Sequence, residues 1–409
     1  MRTNSKSNHK YILICILVAS ASIQWILRPS IFVGPDTPKF LEIAQKQLQG
    51  NFWFNPSAFD GNYWSIGYPT FLAALKATVG TSTNVLQVTH IGLGLILVLL
   101  TWLISLSLGS KVNIIATCLV AFNPALWALA ALGGYEVLLG VVLVGATFLT
   151  WQLFMPIWWP TVERSTLYQM ALVLTSGVFL GVAVMIQSKS FILVLVFAIY
   201  WFRRSWPTAI LGILGVFLVL FPWSLRNLLV LGSISPFNTN GPINVWIGNN
   251  PNQLTGGFME PPVLPEGSGG FVDSAIKFTL SQPEFAAQLL LRKIVRLVEP
   301  MYFYFGDRQP SMFQLSLHAA TMLIGGLVLV GFLLYVVGRI WLSSPPLPPI
   351  GFLAAIVAMF YAINLPFIAE SRFMAPLLPL AVIIAVATFL SLLRKISAQR
   401  SSSSPNSSK

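Results

Sequence analysis

The chain predicts an all-α polytopic membrane protein, and three observations carry that prediction. Hydrophobic residues make up 56% of its 409 residues and charged residues only 9%, a balance outside that of ordinary soluble domains. Apolar runs near the roughly 20 residues that a helix needs to cross a bilayer recur along the whole length. Acids are scarce, 12 Asp and Glu in all, and they avoid the interiors of those runs.

The runs cover 11–27, 85–108, 113–132, 137–155, 169–186, 191–202, 207–223, 318–342, 351–369 and 373–393, giving about ten spans of which the sixth is short. Arg2, Lys6 and Lys10 precede the first run as they would in a secretory signal. No small-residue cleavage site follows Leu27, so the run reads as a retained helix. With the N-terminus in the cytoplasm, Lys111, Arg164, Arg203, Arg204, Arg339 and the C-terminal Arg394, Lys395, Arg400 and Lys409 all fall inside, as the positive-inside rule expects. Residues 34–84 and 226–313 then form two outward loops of a single unit spanning 1–393, and the Ser-rich 394–409 reads as a disordered cytoplasmic tail.

The outer loops carry periodicity of their own. Pro38 can open a helix capped by Asp36 or Thr37, with Phe40, Leu41, Ala44 and Leu48 on one face. Such a helix would lie along the membrane surface. A second interfacial helix is expected from about Phe271 to Leu297, broken near Pro283, with Phe285, Leu289, Ile294 and Leu297 apolar and Arg292, Lys293 and Arg296 turned toward phosphates. The stretch from Ile234 to Asn252, dense in Asn, Gly and Pro, reads as an ordered loop or set of turns.

A net charge of +12 raises nucleic acid as a partner, but the basic residues are scattered and form no basic-aromatic stripe. The lipid bilayer, with its anionic headgroups, is the expected partner. Cys15 and Cys118 lie within apolar runs, so neither a disulfide framework nor a metal cluster is implied.

The most informative polar segment runs from Gly34 to Gly50, with its two acids Asp36 and Glu42. Local sequence leaves two roles open to Asp36: a helix cap, or a group that does chemistry at the membrane surface. Asp60 is a turn residue or a second site acid, and Tyr135-Glu136 is a solvated helix start or part of a site. Lys189, Arg226 and Arg372 emerge at outer span ends, where they either snorkel to headgroups or converge on an anion. Trp53, Trp64 and Trp246 suit interfacial belts and sugar stacking alike. His90 and His318 read as packing or hydrogen-bonded residues rather than metal ligands.

In order along the chain come Asp36 after the first span, Gly67-Tyr68-Pro69 before the second, and Tyr135-Glu136 opening the fourth. Lys189 outside the fifth, Arg226-Asn227 after the seventh, TNGPINVWIGNNP from Thr239 to Pro251 and Glu370-Ser371-Arg372-Phe373 before the last complete the series. This series resembles the GT-C class of polytopic glycosyltransferases, especially bacterial relatives of protein O-mannosyltransferases and aminoarabinose transferases. The resemblance implies transfer of a sugar from a polyprenyl-phosphate donor to an acceptor on the outer face of the cell membrane. It further implies Asp36 as general base, Lys189, Arg226 and Arg372 on the donor phosphate, and Asp60, Tyr68, Tyr135, Glu136, Asn240, Asn249 and Glu370 in support. One base plus cations suffices when the leaving group is a phosphate, and inversion at the anomeric carbon follows. Many members carry a second acid beside the first, whereas Thr37 follows Asp36 here. A divalent metal is compatible with the class, but no ligand pair and no cofactor are indicated. The sugar and the acceptor, whether protein, lipid or glycan, are not specified. Two rivals stay open: a secondary transporter or flippase of lipid-linked sugars, and a surface-polysaccharide polymerase or ligase.

Overall fold

The computed structural model describes residues 3–28, 36–49, 62–155, 165–265, 267, 269–299, 312–341 and 348–403. It is all-α, with sixteen helices and no strand among the described residues. Among the described residues seven helices are long and apolar enough to cross a membrane. They are α1 (Thr3–Leu27), α4 (Thr83–Ser105), α7 (Tyr135–Phe154), α8 (Thr166–Ile186), α10 (Trp206–Leu231), α14 (Met312–Trp341) and α16 (Leu378–Ser403).

The three remaining apolar runs of the expected ten depart from that list. The run 113–132 becomes two helices, α5 (Ser110–Ala121) and α6 (Pro124–Leu132), bent by 44°. The break has a local cause: Asn123 caps α6 through its side chain and Pro124 cannot extend α5. Runs six and nine form shorter helices, α9 (Phe191–Arg204, 14 residues) and α15 (Pro348–Asn364, 17 residues). The seventh run extends beyond Trp223, so Arg226 and Asn227 lie within the end of α10 rather than after it.

Helix α7 is the centre of the bundle, with 72% of its apolar stretch buried. Helices α8 and α10 approach closely through glycine, for a Cβ on Gly177 would stand 2.0 Å from the carbonyl oxygen of Gly212. Small residues are the usual means of close helix packing where lipid offers no hydrophobic drive. A buried polar set, Thr150, Ser176 and Trp201, adds hydrogen bonds between α7, α8 and α9.

The amphipathic helices lie at one end. Helix α2 (Thr37–Leu48) buries Phe40, Ile43 and Ala44 and leaves Leu48 exposed, packing on α3 (Gly67–Thr78). The Asn-rich loop is not irregular throughout, because Gly241–Gly248 forms α11 with Pro242 in its first turn. Tertiary burial explains this: Trp246 packs with Ala275 and Phe278, and Ile247 with Ile368 and Phe373. The expected second interfacial helix is α12 (Phe271–Ser281) followed by α13 (Pro283–Val298), broken at Gln282. Its basic residues are engaged with the protein's own backbone and side chains rather than left for phosphates. Lys293 is buried, with 1% exposure, and Arg292 and Arg296 donate to the carbonyl oxygens of Leu254 and Ala369. Helix α16 continues through Arg394 and Lys395 to Ser403.

Candidate active site

A cavity of about 450 Å³ opens at the end of the bundle where α1, α8, α10 and α15 finish and where α7, α9 and α16 begin. Asp36, Tyr135, Lys189, Asn240 and Arg372 line it, bringing together five of the residues singled out by sequence. Glu136 stands directly behind them. Tyr68, Arg226, Asn249 and Glu370 do not line the cavity, and Asp60 lies outside the described residues.

Asp36 sits at the N-cap position of α2, yet its side chain makes no capping bond. It faces Arg372 instead, with Oδ2 3.3 Å from Nη1. The same Nη1 is 3.6 Å from Oε1 of Glu136, a residue with 2% side-chain exposure whose Oε1 accepts no hydrogen bond. One guanidinium nitrogen therefore bridges a half-open carboxylate and a buried one. Glu42, the other acid of the Gly34 to Gly50 segment, is spent on the surface of α2, paired with Lys39 and Lys46.

Lys189 leaves the short 3₁₀ turn Ser188–Ser190 between α8 and α9. Its Nζ donates to Oδ1 of Asn364 at 2.6 Å and lies over the rings of Phe373 and Phe367. Burial, and secondarily the charge of Arg372, lowers its pKa to about 7. Such an ammonium is poised to take up an anion that restores its lost solvation.

The supporting residues act at a distance. Tyr68 is buried and donates to the carbonyl oxygen of Gly133, fixing the approach to α7. Burial holds its phenol far above the usual range, so it remains a neutral donor. Arg226 is buried at the end of α10, where it donates to Oδ1 of Asn227 and lies over Trp223. Asn249 accepts from Lys293 and donates to the carbonyl oxygen of Pro366. Glu370 accepts from the backbone N–H of Phe258 and stands 3.5 Å from Arg296, so its direct partners lie there rather than at Arg372.

Sequence reasoning missed Gln187, Asn238 and Asn244, which line the polar wall of the cavity. Asn238 accepts from Ser188 and donates to Asn240, joining two distant loops. The only sequence signal for them is position, next to Lys189 and inside the Asn-rich loop. Phe40, Trp64, Phe191 and Phe373 supply the cavity's apolar and aromatic surface.

Solved structures share this fold. The archaeal oligosaccharyltransferase AglB of Archaeoglobus fulgidus, in complex with an inhibitory peptide and a dolichol-phosphate, superposes over 98% of this chain with a TM-score of 0.55 at 14% identity. ArnT of Cupriavidus metallidurans, bound to undecaprenyl phosphate, superposes over 96% with a TM-score of 0.55 at 12% identity. The chain spans 52% of the oligosaccharyltransferase and 63% of ArnT. The fold is thus that of these two GT-C polytopic membrane glycosyltransferases. No protein-family model matches the chain, and no curated protein does.

The same oligosaccharyltransferase has been solved with Zn and sulfate, at a TM-score of 0.56, 13% identity, and coverage of 93% of this chain and 49% of that one, which raises the question of a metal here. Among the described residues no three His, Cys, Asp or Glu cluster as ligands. Asp36 and Glu136 already share a guanidinium, whereas a hard divalent cation takes several free oxygen ligands. The pair fits Arg372 rather than a metal.

Proposed function

We propose that this protein is a membrane glycosyltransferase that moves a sugar from a polyprenyl-phosphate donor to an acceptor at the extracytoplasmic face. The observation that carries this reading is the meeting of Asp36, Lys189 and Arg372 in one cavity, from segments up to 336 residues apart. The shared fold with proteins solved with dolichol-phosphate and undecaprenyl phosphate supports it. Lys111, Arg203, Arg204, Arg394 and Lys395 lie at the opposite ends of their helices, which supports an outward cavity by the positive-inside rule.

The chemistry follows from the charges. Asp36 accepts the proton of the acceptor group as its oxygen or nitrogen attacks the anomeric carbon. The bond from that carbon to the phosphate oxygen breaks with inversion, and polyprenyl phosphate leaves with its added negative charge. Lys189 and Arg372 stabilise that charge within an enclosed site, where fixed cations are worth more than in water. Donor phosphate also competes for Arg372, which releases Asp36 to act as base. The apolar wall with Phe191 and Phe373 suits the first isoprene units.

The test is transfer of labelled sugar from synthetic polyprenyl-phosphate donors in membranes holding the intact chain or Asp36→Asn, with products resolved by mass spectrometry. Asp36-dependent product formation is expected. Movement of the lipid-linked sugar across vesicles without a new glycosidic bond would establish a transporter instead. Product formed equally by Asp36→Asn would remove the base role and favour a polymerase or ligase using a pyrophosphate-linked donor.

A further inference from the structure

Helix α13 turns its sides the opposite way from a helix that faces water. The residues it buries against the protein, Leu289, Lys293 and Leu297, recur every four positions and so share one side. Leu289 and Leu297, part of the apolar pattern that predicts a membrane face, are thus turned inward together with a lysine. A different arc is outward. Leu290, Leu291, Ile294 and Val295 are exposed, Leu291 by 63% and Val295 by 55%. Counted from Ala287, these four and Val298 fall at spacings of 3, 4, 7, 8 and 11, which is a single helical stripe. The stripe carries no polar side chain from Ala287 to Val298, and at 1.5 Å per residue it is about 17 Å long.

A contiguous outward stripe of this kind marks a surface that something apolar covers. The place of α13 identifies the cover as lipid. The Tyr361 hydroxyl donates to the carbonyl oxygen of Ile294, which seats α13 against the last turn of α15. Helix α15 packs on α9 and α16 within the apolar bundle and ends at Asn364, the partner of Lys189 in the cavity. The stripe therefore adjoins the bundle at its cavity end. At that same end the span α10 leaves Phe221, Leu225 and Leu229 exposed, so the apolar outer surface of the bundle reaches this level. Six side chains on one helix fall short of the roughly 20–30 residues a side that a stable protein interface uses, whereas a helix lying in a membrane interface needs only such a stripe.

We propose that α13 docks by this stripe into the acyl region of the leaflet around the cavity end of the bundle, with the lipid bilayer itself as partner. The far side of the same helix holds the carbonyls of Leu365 and Ala369 through Lys293 and Arg296. The helix thereby ties the cavity wall ahead of Arg372 to the lipid surface.

The experiment photolabels the full chain in lipid nanodiscs with a phospholipid that bears a carbene precursor near the top of its acyl chain, and in parallel with a water-soluble carbene precursor, and maps the adducts by mass spectrometry. Residues 287–298 should be labelled from the acyl chain, as Phe221 and Leu225 of α10 are, and spared by the soluble reagent. Labelling by the soluble reagent alone would place the stripe in water, and labelling by neither would show a protein partner or a second copy over it. Either result overturns the proposal. Leu291→Glu combined with Val295→Glu should lose the acyl-chain adducts on 287–298 while α10 keeps its own, and undiminished labelling of α13 in that variant would overturn it equally. Should the double variant not fold, the two reagents on the intact chain decide alone.

Discussion

Arg372→Ala separates the two jobs that one guanidinium performs. The substitution strips Nη1 from Asp36, 3.3 Å away, and from Glu136, 3.6 Å away. The two losses are unequal. Asp36 and Arg372 are each about a third exposed, at 32% and 29% of side-chain area, so their pair is screened and contributes under about 1 kcal/mol. Glu136 has 2% exposure, and leaving a buried carboxylate without its partner costs about 3–5 kcal/mol. Nearly all the destabilisation should therefore come from Glu136. Adding Glu136→Gln removes the stranded charge, so the double variant should recover most of that stability while remaining poor in donor use. Chemical or thermal unfolding of the detergent-solubilised chain reads the first quantity, and the dependence of transfer on polyprenyl-phosphate donor concentration reads the second. The reasoning fails if Arg372→Ala alone lies within about 1 kcal/mol of the intact chain. It fails equally if Glu136→Gln brings no recovery.

Three other predictions rest on different contacts. Asp36→Asn should lower turnover by about 10²–10⁴-fold while changing stability by less than about 1 kcal/mol, since Asp36 makes no capping bond and Glu136 still partners Arg372. Comparable losses in both would point to a structural residue. Because Lys189 titrates near 7 and an anion favours its protonated form, donor affinity should fall as pH rises above 7, by up to about tenfold per unit. Over the same window, up to the ordinary lysine range, the unliganded fold should gain stability, because the unfolded chain then binds the extra proton. Lys189→Arg should flatten the affinity profile, and a flat profile for the intact chain between pH 7 and 9 would refute the assignment. Gly177→Ala drives a methyl into the Gly212 carbonyl oxygen and should lower stability by about 1–3 kcal/mol. Gly325→Ala, with open space around it, is the control, and equal effects in unfolding would dismiss the close α8–α10 contact.

Much of the fold was legible because transmembrane helices are specified locally. Every backbone group must bond within its own segment in lipid, so apolar runs and helices coincide. What escaped depended on partners. Helix α11 lay hidden in an Asn-Gly-Pro stretch because its stability comes from burying Trp246 and Ile247 against α12 and the 368–373 segment. The inward turn of Lys293 was equally illegible, since its acceptors, Asn249 and the carbonyl of Leu365, are 44 and 72 residues away. For the site, Asp36, Lys189 and Arg372 could be suspected because ionisable residues at span ends are few. Gln187 could not, because it lies outside every stretch that drew notice, and Asn244 could not be told apart from Asn240 and Asn249 in the same Asn-rich stretch until the cavity was seen.

The basic residues of α13 give the outer loop a role that their charge alone misrepresents. Lys293 holds the carbonyl of Leu365, Arg296 holds that of Ala369 and pairs with Glu370, and Asn249 holds that of Pro366. The backbone N–H of Ala369 donates in turn to Gly256. Five successive contacts thus clamp residues 365–370 onto the outer loop, and the chain leaves the clamp directly into Arg372 and Phe373 at the cavity wall. A guanidinium on an unsupported connection would sample many positions, and electrostatic stabilisation depends on its being fixed before charge develops. Lys293 and Arg296 therefore act on the cavity wall through the backbone they hold. The burial of Lys293 accounts for much of this division of labour: a lysine with 1% exposure facing Asn249 and a carbonyl is committed to the fold. Lys189 and Arg372 are the cations that the cavity itself presents.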